Sequence, residues 1–265
     1  MEERKKTIET NRPLILISND DGFEAKGIKA LVEMVKDFGD VVVCAPESGR
    51  SGSSRAFTMD VLRLNHISTE AGVQTWSCSG TPVDCVKMAY SELCSRKPSL
   101  VLSGINHGDN ASTNAHYSGT VGVVIEAAMK GIPGIAFSLC DYDPDADFSP
   151  LDKIVRRFVA LALEKGMPHY SCLNINVPKE ILHDEIRLCR MAHGNWHKEV
   201  EKCHHPTRGY DYYWMCGYYQ NDEIEAEDTD AWALSHGYVA VTPITVELTD
   251  FDYLNQLKAT SLTSL

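Results

Sequence analysis

Pro13-Leu14-Ile15-Leu16-Ile17-Ser18, followed at once by Asn19-Asp20-Asp21-Gly22, is the stretch on which the reading of this chain turns. Its first part is short, aliphatic and uncharged, the signature of a strand buried on both faces, as in a parallel sheet. Open α/β sheets hold their ligands just beyond the carboxyl ends of such strands. Two neighbouring carboxylates at that edge repel each other unless a cation lies between them. Hard divalent ions such as Mg²⁺ or Mn²⁺ favour oxygen ligands of this kind. The same four residues are also ordinary turn and helix-cap chemistry. Taken alone, the motif leaves both readings open.

Outward from it, strand and helix signals alternate. A helix is expected over 25–37, where Ile28, Leu31, Val32 and Val35 recur at helical spacing, and a strand over 41–45, stopped by Pro46. Period-two stretches around 57–66 and 73–78 read as a hairpin or edge strands. Thr81-Pro82 opens a helix running to about residue 94, with Thr as cap and Pro in the first turn. A strand over 99–103, a helix over 119–131 and a strand over 134–139 follow, then an acidic loop over 141–150 that either gates a cleft or is simply solvated. A helix over 150–165 and a strand over 172–177 close the series. The alternation predicts an α/β fold, a doubly wound, mostly parallel sheet in a Rossmann-like three-layer arrangement.

Beyond this series the rhythm stops. The His-, Tyr- and Trp-rich stretch 186–217 reads as protruding β-hairpins whose aromatics anchor subunit contacts, or as a satellite sheet with its own aromatic core. Residues 238–248 read as a strand pair broken at Pro243. The expected division is a flexible leader over 1–12, an α/β core over 13–180, and a hairpin extension with a domain-completing C-terminal segment over 181–265.

A chain of 265 residues can bury one large α/β core. Its 25 basic and 37 acidic side chains give a formal charge of −12, which argues against DNA or RNA duplex binding. A small phosphorylated ligand stays compatible, because a cation and a few donors reverse the field inside one cleft. The nine cysteines include no CxxC pair, and no secretory pattern precedes the first strand, so reduced thiols in a cytoplasm are expected rather than disulfides or structural zinc. No apolar stretch approaches the roughly 20 residues that span a bilayer, so no membrane association is expected.

Three further loops follow strands that should neighbour the first. Ser48-Gly49-Arg50-Ser51-Gly52-Ser53-Ser54 offers a hydroxyl flanked by Arg50 and Arg55, suited to a phosphate dianion. In Ser103-Gly104-Ile105-Asn106-His107-Gly108-Asp109-Asn110, Asn106 can turn its amide oxygen to a metal and its NH₂ to an anion. Tyr117-Ser118-Gly119-Thr120 opens a helix whose free N–H groups form an anion site, though Ser118 also suits plain N-capping. Together these loops describe a divalent metal beside a phosphate pocket. The P-loop, the GxGxxG fingerprint and the GxSxG elbow are all missing, which removes support for NTPase, dinucleotide and serine-hydrolase readings.

In these residues the chain resembles the SurE (survival protein E) nucleotidases. The matching strings are Ile17-Ser18-Asn19-Asp20-Asp21-Gly22, Ala45-Pro46 with Arg50-Ser51-Gly52, Gly80-Thr81-Pro82-Val83-Asp84-Cys85-Val86, Ser103-Gly104-Ile105-Asn106 with Gly108 and Asn110, and Tyr117-Ser118-Gly119-Thr120-Val121. Leu173-Asn174-Ile175-Asn176-Val177-Pro178 and Gly237-Tyr238-Val239-Ala240-Val241-Thr242-Pro243 continue the match, while His204 to Gly209 departs from it. The resemblance implies a metal-dependent phosphomonoesterase acting on nucleoside 5′- and 3′-monophosphates, with some action on short polyphosphate. It implies one Mg²⁺ or Mn²⁺ per subunit on Asp20, Asp21, Ser51 and Asn106. It further implies catalysis by Asp20 and Asp21, a phosphate cradled by Ser118, Gly119 and Thr120, substrate contacts from Asn19, Arg50 and Asn106, and a homodimer or homotetramer.

On this basis either aspartate is a candidate general base, and His107, His116 and His236 are candidate general acids. A phosphorylation-controlled receiver domain also carries an acidic pair after its first strand. It needs an Asp and a Lys at later strand ends, where this chain has Ser103-Gly104-Ile105-Asn106 and Phe137-Ser138-Leu139-Cys140. The standing alternative is a non-catalytic, metal-dependent nucleotide-sensing protein, which would keep every ligand.

Overall fold

A computed structural model of the chain describes residues 12–260, so all of the expected leader except Arg12 lies outside the described residues. The first half runs β1 (Leu14–Ser18), α1 (Lys26–Val35), β2 (Asp40–Pro46), β3 (Leu64–Glu70), β4 (Val73–Cys78), α2 (Pro82–Met88), β5 (Leu100–His107), α3 (Asn114–Tyr117), α4 (Gly119–Met129) and β6 (Gly134–Cys140). The second runs α5 (Asp152–Lys165), β7 (Ser171–Pro178), β8 (Ile186–Leu188), β9 (Gly194–His197), β10 (Val200–His204), β11 (Asp211–Met215), β12 (Tyr218–Asn221), α6 (Asp230–Ser235), β13 (Val239–Thr245) and α7 (Phe251–Lys258).

All five residues of β1 are buried. Successive strand side chains point to opposite faces. Ile15 and Ile17 therefore enter one core with Ile28 and Leu31 of α1 and Val155 and Val159 of α5. Leu14 and Leu16 enter a second core with Cys85 and Val86 of α2 and Val123 and Val124 of α4. This gives the expected three layers.

The sheet has nine strands in the order β3-β4-β2-β1-β5-β6-β7-β13-β8. Its central six, β4 to β7, are parallel. From β1 the chain builds to one side through β2 and β4, then returns to the other side at β5. The order thus reverses between β1 and β5, which opens a crevice at their carboxyl ends. Ser18 lies opposite Ser103 in register, so the loops after these two strands are neighbours.

The Thr81 cap is as expected: Asp84 N donates to Thr81 Oγ1 at 3.2 Å, and Thr81 N donates back to Asp84 Oδ2 at 2.8 Å. After Met88 the helix widens into a single turn over Ala89–Leu93. Two expectations are corrected. The hairpin strand starts at Leu64, later than the period-two stretch from 57 suggests, because Thr58 N and Oγ1 are both tied to Asp84. That strand also carries a bulge between His66 and Ser68.

Residues 238–248 hold one strand rather than a pair. β13 runs antiparallel to β7 and pairs with β8 only over Val239 to Val241. Val241 O accepts from Cys189 N on the β8 side at 2.9 Å, so the nitrogen of Pro243, two residues on, faces the same way, past the end of β8. No ladder bond is lost there, which is where a strand tolerates proline.

β9–β12 and β10–β11 are antiparallel ribbons in series that form an arm. On β11, Tyr213 is 60%, Trp214 63% and Met215 76% exposed, so this ribbon has no aromatic core of its own. All nine cysteines are free. Among the described residues, no helix is long and apolar enough to cross a membrane.

α1 lies so close to β5 that a Cβ on Gly27 would come 2.0 Å from Ile105 O. Gly27→Ala is expected to destabilise the fold by about 1–3 kcal/mol in denaturant unfolding. Lys29→Ala, on the exposed side of the same helix, should stay within about 0.5 kcal/mol of the parent.

Candidate active site

Asn19 is fully buried. Its Nδ2 donates to Gly22 O at 2.9 Å, and its Oδ1 accepts from Gly22 N at 3.2 Å. The amide expected beside the substrate is thus committed to closing the turn. The turn carries Asp20 and Asp21 out over the carboxyl end of β1.

Asp20 is buried against the start of α4. Its Oδ2 accepts from Gly119 N at 3.1 Å and its Oδ1 from Thr120 Oγ1, while its carbonyl accepts from Arg50 N at 2.6 Å. The approach requires glycine, since a Cβ on Gly119 would lie 2.7 Å from Asp20 Cβ and 2.9 Å from its Oδ2. Ser118 caps the helix, its Oγ accepting from Val121 N at 3.0 Å. The donors expected to cradle a phosphate therefore already serve a carboxylate, which suits the positive end of the helix equally well.

Asn106 stands beside this contact, its Oδ1 3.4 Å from Thr120 Oγ1. Its Nδ2 donates to His107 O at 3.0 Å and to Gly108 O at 2.9 Å. The amide oxygen faces the cluster, and the NH₂ expected to meet an anion is held by backbone carbonyls instead. The loop after β2 lies along the start of α4, with Ser54 N and Oγ donating to Tyr117 O and His116 O at 3.0 and 2.6 Å. Arg50 donates to Ser79 O at 3.2 Å. Ser51 and Arg55 are exposed, and the Ser51 hydroxyl makes no hydrogen bond with the described residues.

Burial pushes the Asp20 carboxyl above the usual carboxylate range, against its hydrogen bonds from Thr120 and Gly119. Asp21 is pushed up to about 6, first by burial and then by the charge of Asp20, with His107 pulling the other way. Asp21 Oδ2 is buried without a hydrogen-bond partner. Two crowded carboxylates, one oxygen without a donor, and an amide oxygen turned toward them fit a hard divalent cation. The described residues contain no cluster of three or more His, Cys, Asp or Glu, so a cation at the acidic pair would draw its remaining oxygens from amide, hydroxyl or carbonyl groups, water or substrate.

Of the three histidines, His107 is the one that interacts with Asp21, and its ring packs edge-on against Phe148 at 5.0 Å. His116 is exposed on α3. His236 stacks on Trp232 at 4.0 Å and has no contact with the acidic pair. The residues that support Asn106 enter the sequence analysis only within longer strings and without a role of their own. Asn110 N donates to Asn176 Oδ1 at 2.8 Å, Asn174 Nδ2 donates to Asn110 O at 2.7 Å, and Asn110 Nδ2 donates to Ser138 Oγ at 2.8 Å. They pin the loop that follows Asn106. Their signal in the sequence is two amides alternating inside an otherwise apolar strand, where each needs a buried partner.

The family model described as Survival protein SurE matches residues 15–198. The chain is 45% identical over 257 residues to a protein named 5′-nucleotidase SurE from Bacteroides fragilis, covering 96% of this chain and all of that one. It is 46% identical over 248 residues to the protein of the same name from Phocaeicola vulgatus, covering 93% and 96%. Among solved structures, the Sure protein from Aquifex aeolicus superposes with a TM-score of 0.78 at 35% identity, covering 93% of this chain and 98% of that one.

In protein stripped of divalent cations, Asp21 is harder to ionise folded than unfolded. Its contribution to stability is then complete below the ordinary value of 3.8 and is lost as pH rises through about 6. Asp21→Asn is expected to stabilise the chelator-treated protein at pH 7 by roughly 1–3 kcal/mol. The gain should shrink toward zero near pH 4, as read from urea midpoints at the two pH values.

Proposed function

The chain belongs to the SurE family, and on that premise we propose that it is a 5′-nucleotidase, hydrolysing nucleoside 5′-monophosphates to nucleoside and phosphate. The observation that carries the chemistry is the acidic pair at the β1–β5 crevice, with Asp20 seated on the start of α4 and Asp21 presenting an oxygen without a partner. The name of the relatives supports the substrate class.

The finer reading is metal-dependent. One Mg²⁺ or Mn²⁺ per subunit would be held by Asp20, Asp21, Ser51 and Asn106. When bound it would supply charge neutralisation and Lewis-acid polarisation of the phosphoryl group. The chain's own residues do the rest. The Ser118 hydroxyl and the Arg50 guanidinium would orient the phosphate and stabilise charge gathering on its outer oxygens, with Gly119 and Thr120, which serve Asp20 in this structure, exchanging that partner to join them. Asp20 has both oxygens engaged, so Asp21 is the aspartate open to take a proton from the attacking water. His107, which interacts with Asp21, would protonate the departing sugar oxygen.

The same site would admit 3′-monophosphates and the end of a short polyphosphate, since it grips the phosphoryl group and not the base. Assembly into a homodimer or homotetramer is supported by the exposed aromatics of the arm and by α7, which has no buried residue.

Phosphate release from nucleoside 5′- and 3′-monophosphates and from tripolyphosphate, each with Mg²⁺, Mn²⁺ or EDTA, tests all of this. Release should need the metal and fall by at least about 10³-fold in Asp20→Asn, the equivalent of several kcal/mol of lost electrostatic stabilisation. Near-parental release by Asp20→Asn sinks the assignment. Silence on every substrate, with cation binding intact, favours a nucleotide-sensing protein.

A further inference from the structure

The arm is closed at its root by one arginine. Arg190 Nη1 and Nη2 reach Glu223 at 2.9 and 2.8 Å, and its Nε reaches Asp228 at 2.8 Å. Two residues past Asp228 stands Asp230, the first residue of α6 and completely buried. Its Oδ2 accepts from Ser112 N at 2.8 Å. Its Oδ1 accepts from Ser112 Oγ at 3.0 Å, Ala192 N at 2.9 Å and Ala231 N at 2.8 Å. Every partner is a donor, and among the described residues no Lys, Arg or His pairs with it. A buried carboxylate is tolerable on such terms only while its donors are held in place.

Apart from Ala231 in α6 itself, those donors come from two places that matter. Ser112 lies midway along the connection from Asn106 to Ser118, and Ala192 lies in the segment that enters the arm at β9. Two neutral bonds run alongside: Thr113 Oγ1 to Gly194 O at 2.6 Å, and Trp196 Nε1 to Asn114 Oδ1 at 2.8 Å. The Asp230 carboxylate is the charged group whose hydrogen bonds cross directly from the root of the arm to the Asn106–Ser118 connection.

We propose that Asp230 is a positioning residue: it fixes the Asn106–Ser118 connection to the root of the arm, so that arm and cleft move as one body. Its catalytic consequence rests on the nucleotidase reading, whereas its structural consequence does not. Replacing the carboxylate loosens the connection locally and misplaces both ends of it, while the sheet beneath stays intact.

The test is made on the full chain with Asp230→Asn and the milder Ser112→Ala, which removes only the hydroxyl donor. In Asp230→Asn, amide exchange over 106–118 and 190–196 should rise about tenfold or more, the equilibrium worth of one charge-assisted hydrogen bond, with β1 and β6 unchanged. Turnover at saturating 5′-nucleotide and metal should fall about tenfold while KM moves less than about threefold, the split expected when geometry in the transition state is lost. Ser112→Ala should show the same pattern two- to threefold in size and carries the test if Asp230→Asn does not fold. Unchanged exchange over 106–118, or exchange raised evenly across the whole sheet, overturns the proposal. A parent protein that releases no phosphate overturns the nucleotidase reading instead, and the exchange pattern still decides the role of Asp230.

Discussion

The contact between the Asp20 carboxylate and the first turn of α4 is the constraint around which the crevice is arranged. It spans 99 residues of sequence from Asp20 to Gly119 and leaves no room for a side chain between them. A helix start favours a carboxylate by about 0.3–2 kcal/mol. Burial works against the charge more strongly, since Asp20 and Asp21 are both held above the usual carboxylate range. The helix therefore decides where the charge sits without fully offsetting the cost of burying it. The excess negative charge is left at one spot, where Asp21 Oδ2 has no donor.

Around that spot the division of labour between apolar and polar residues is sharp. Isoleucine, leucine and valine on both faces of the sheet set the strands and hence the positions of the loops. The conformations of those loops are set by polar side chains that reach up from below. Asn174 and Asn176 hold Asn110, Asp84 holds Thr58, and the amide of Asn19 holds Gly22. Each such bond contributes only about 1 kcal/mol net, but leaving its buried partner unsatisfied costs more. Loop shape is thereby specified by what each alternative would strand.

Much of this was legible in the sequence, and the boundary follows physical range. Strand and helix alternation is a local signal, and it located the sheet, the three layers and the edge where Asp20, Asn106 and Thr120 meet. The choice of partner is not local. Whether the Gly119 amide faces a bound anion or Asp20, and which way the Asn106 amide turns, depend on groups brought together only by the fold. Ser112 and Asp230, 118 residues apart, carry no mutual signature in period or composition. Pro243 misled for a related reason, because proline breaks a ladder only where a neighbouring strand faces its nitrogen, and β8 is too short to do so.

The two borders of the sheet share a property that bears on how chains meet. On one side β3 is interrupted by its bulge, and on the other β8 is only three residues long and ends before the Pro243 nitrogen. Neither border offers the long, flat row of free amides that lets strand add to strand from one molecule to the next. Open-ended growth by extension of this nine-stranded sheet, a route to fibrils, therefore finds no long template at either of its borders.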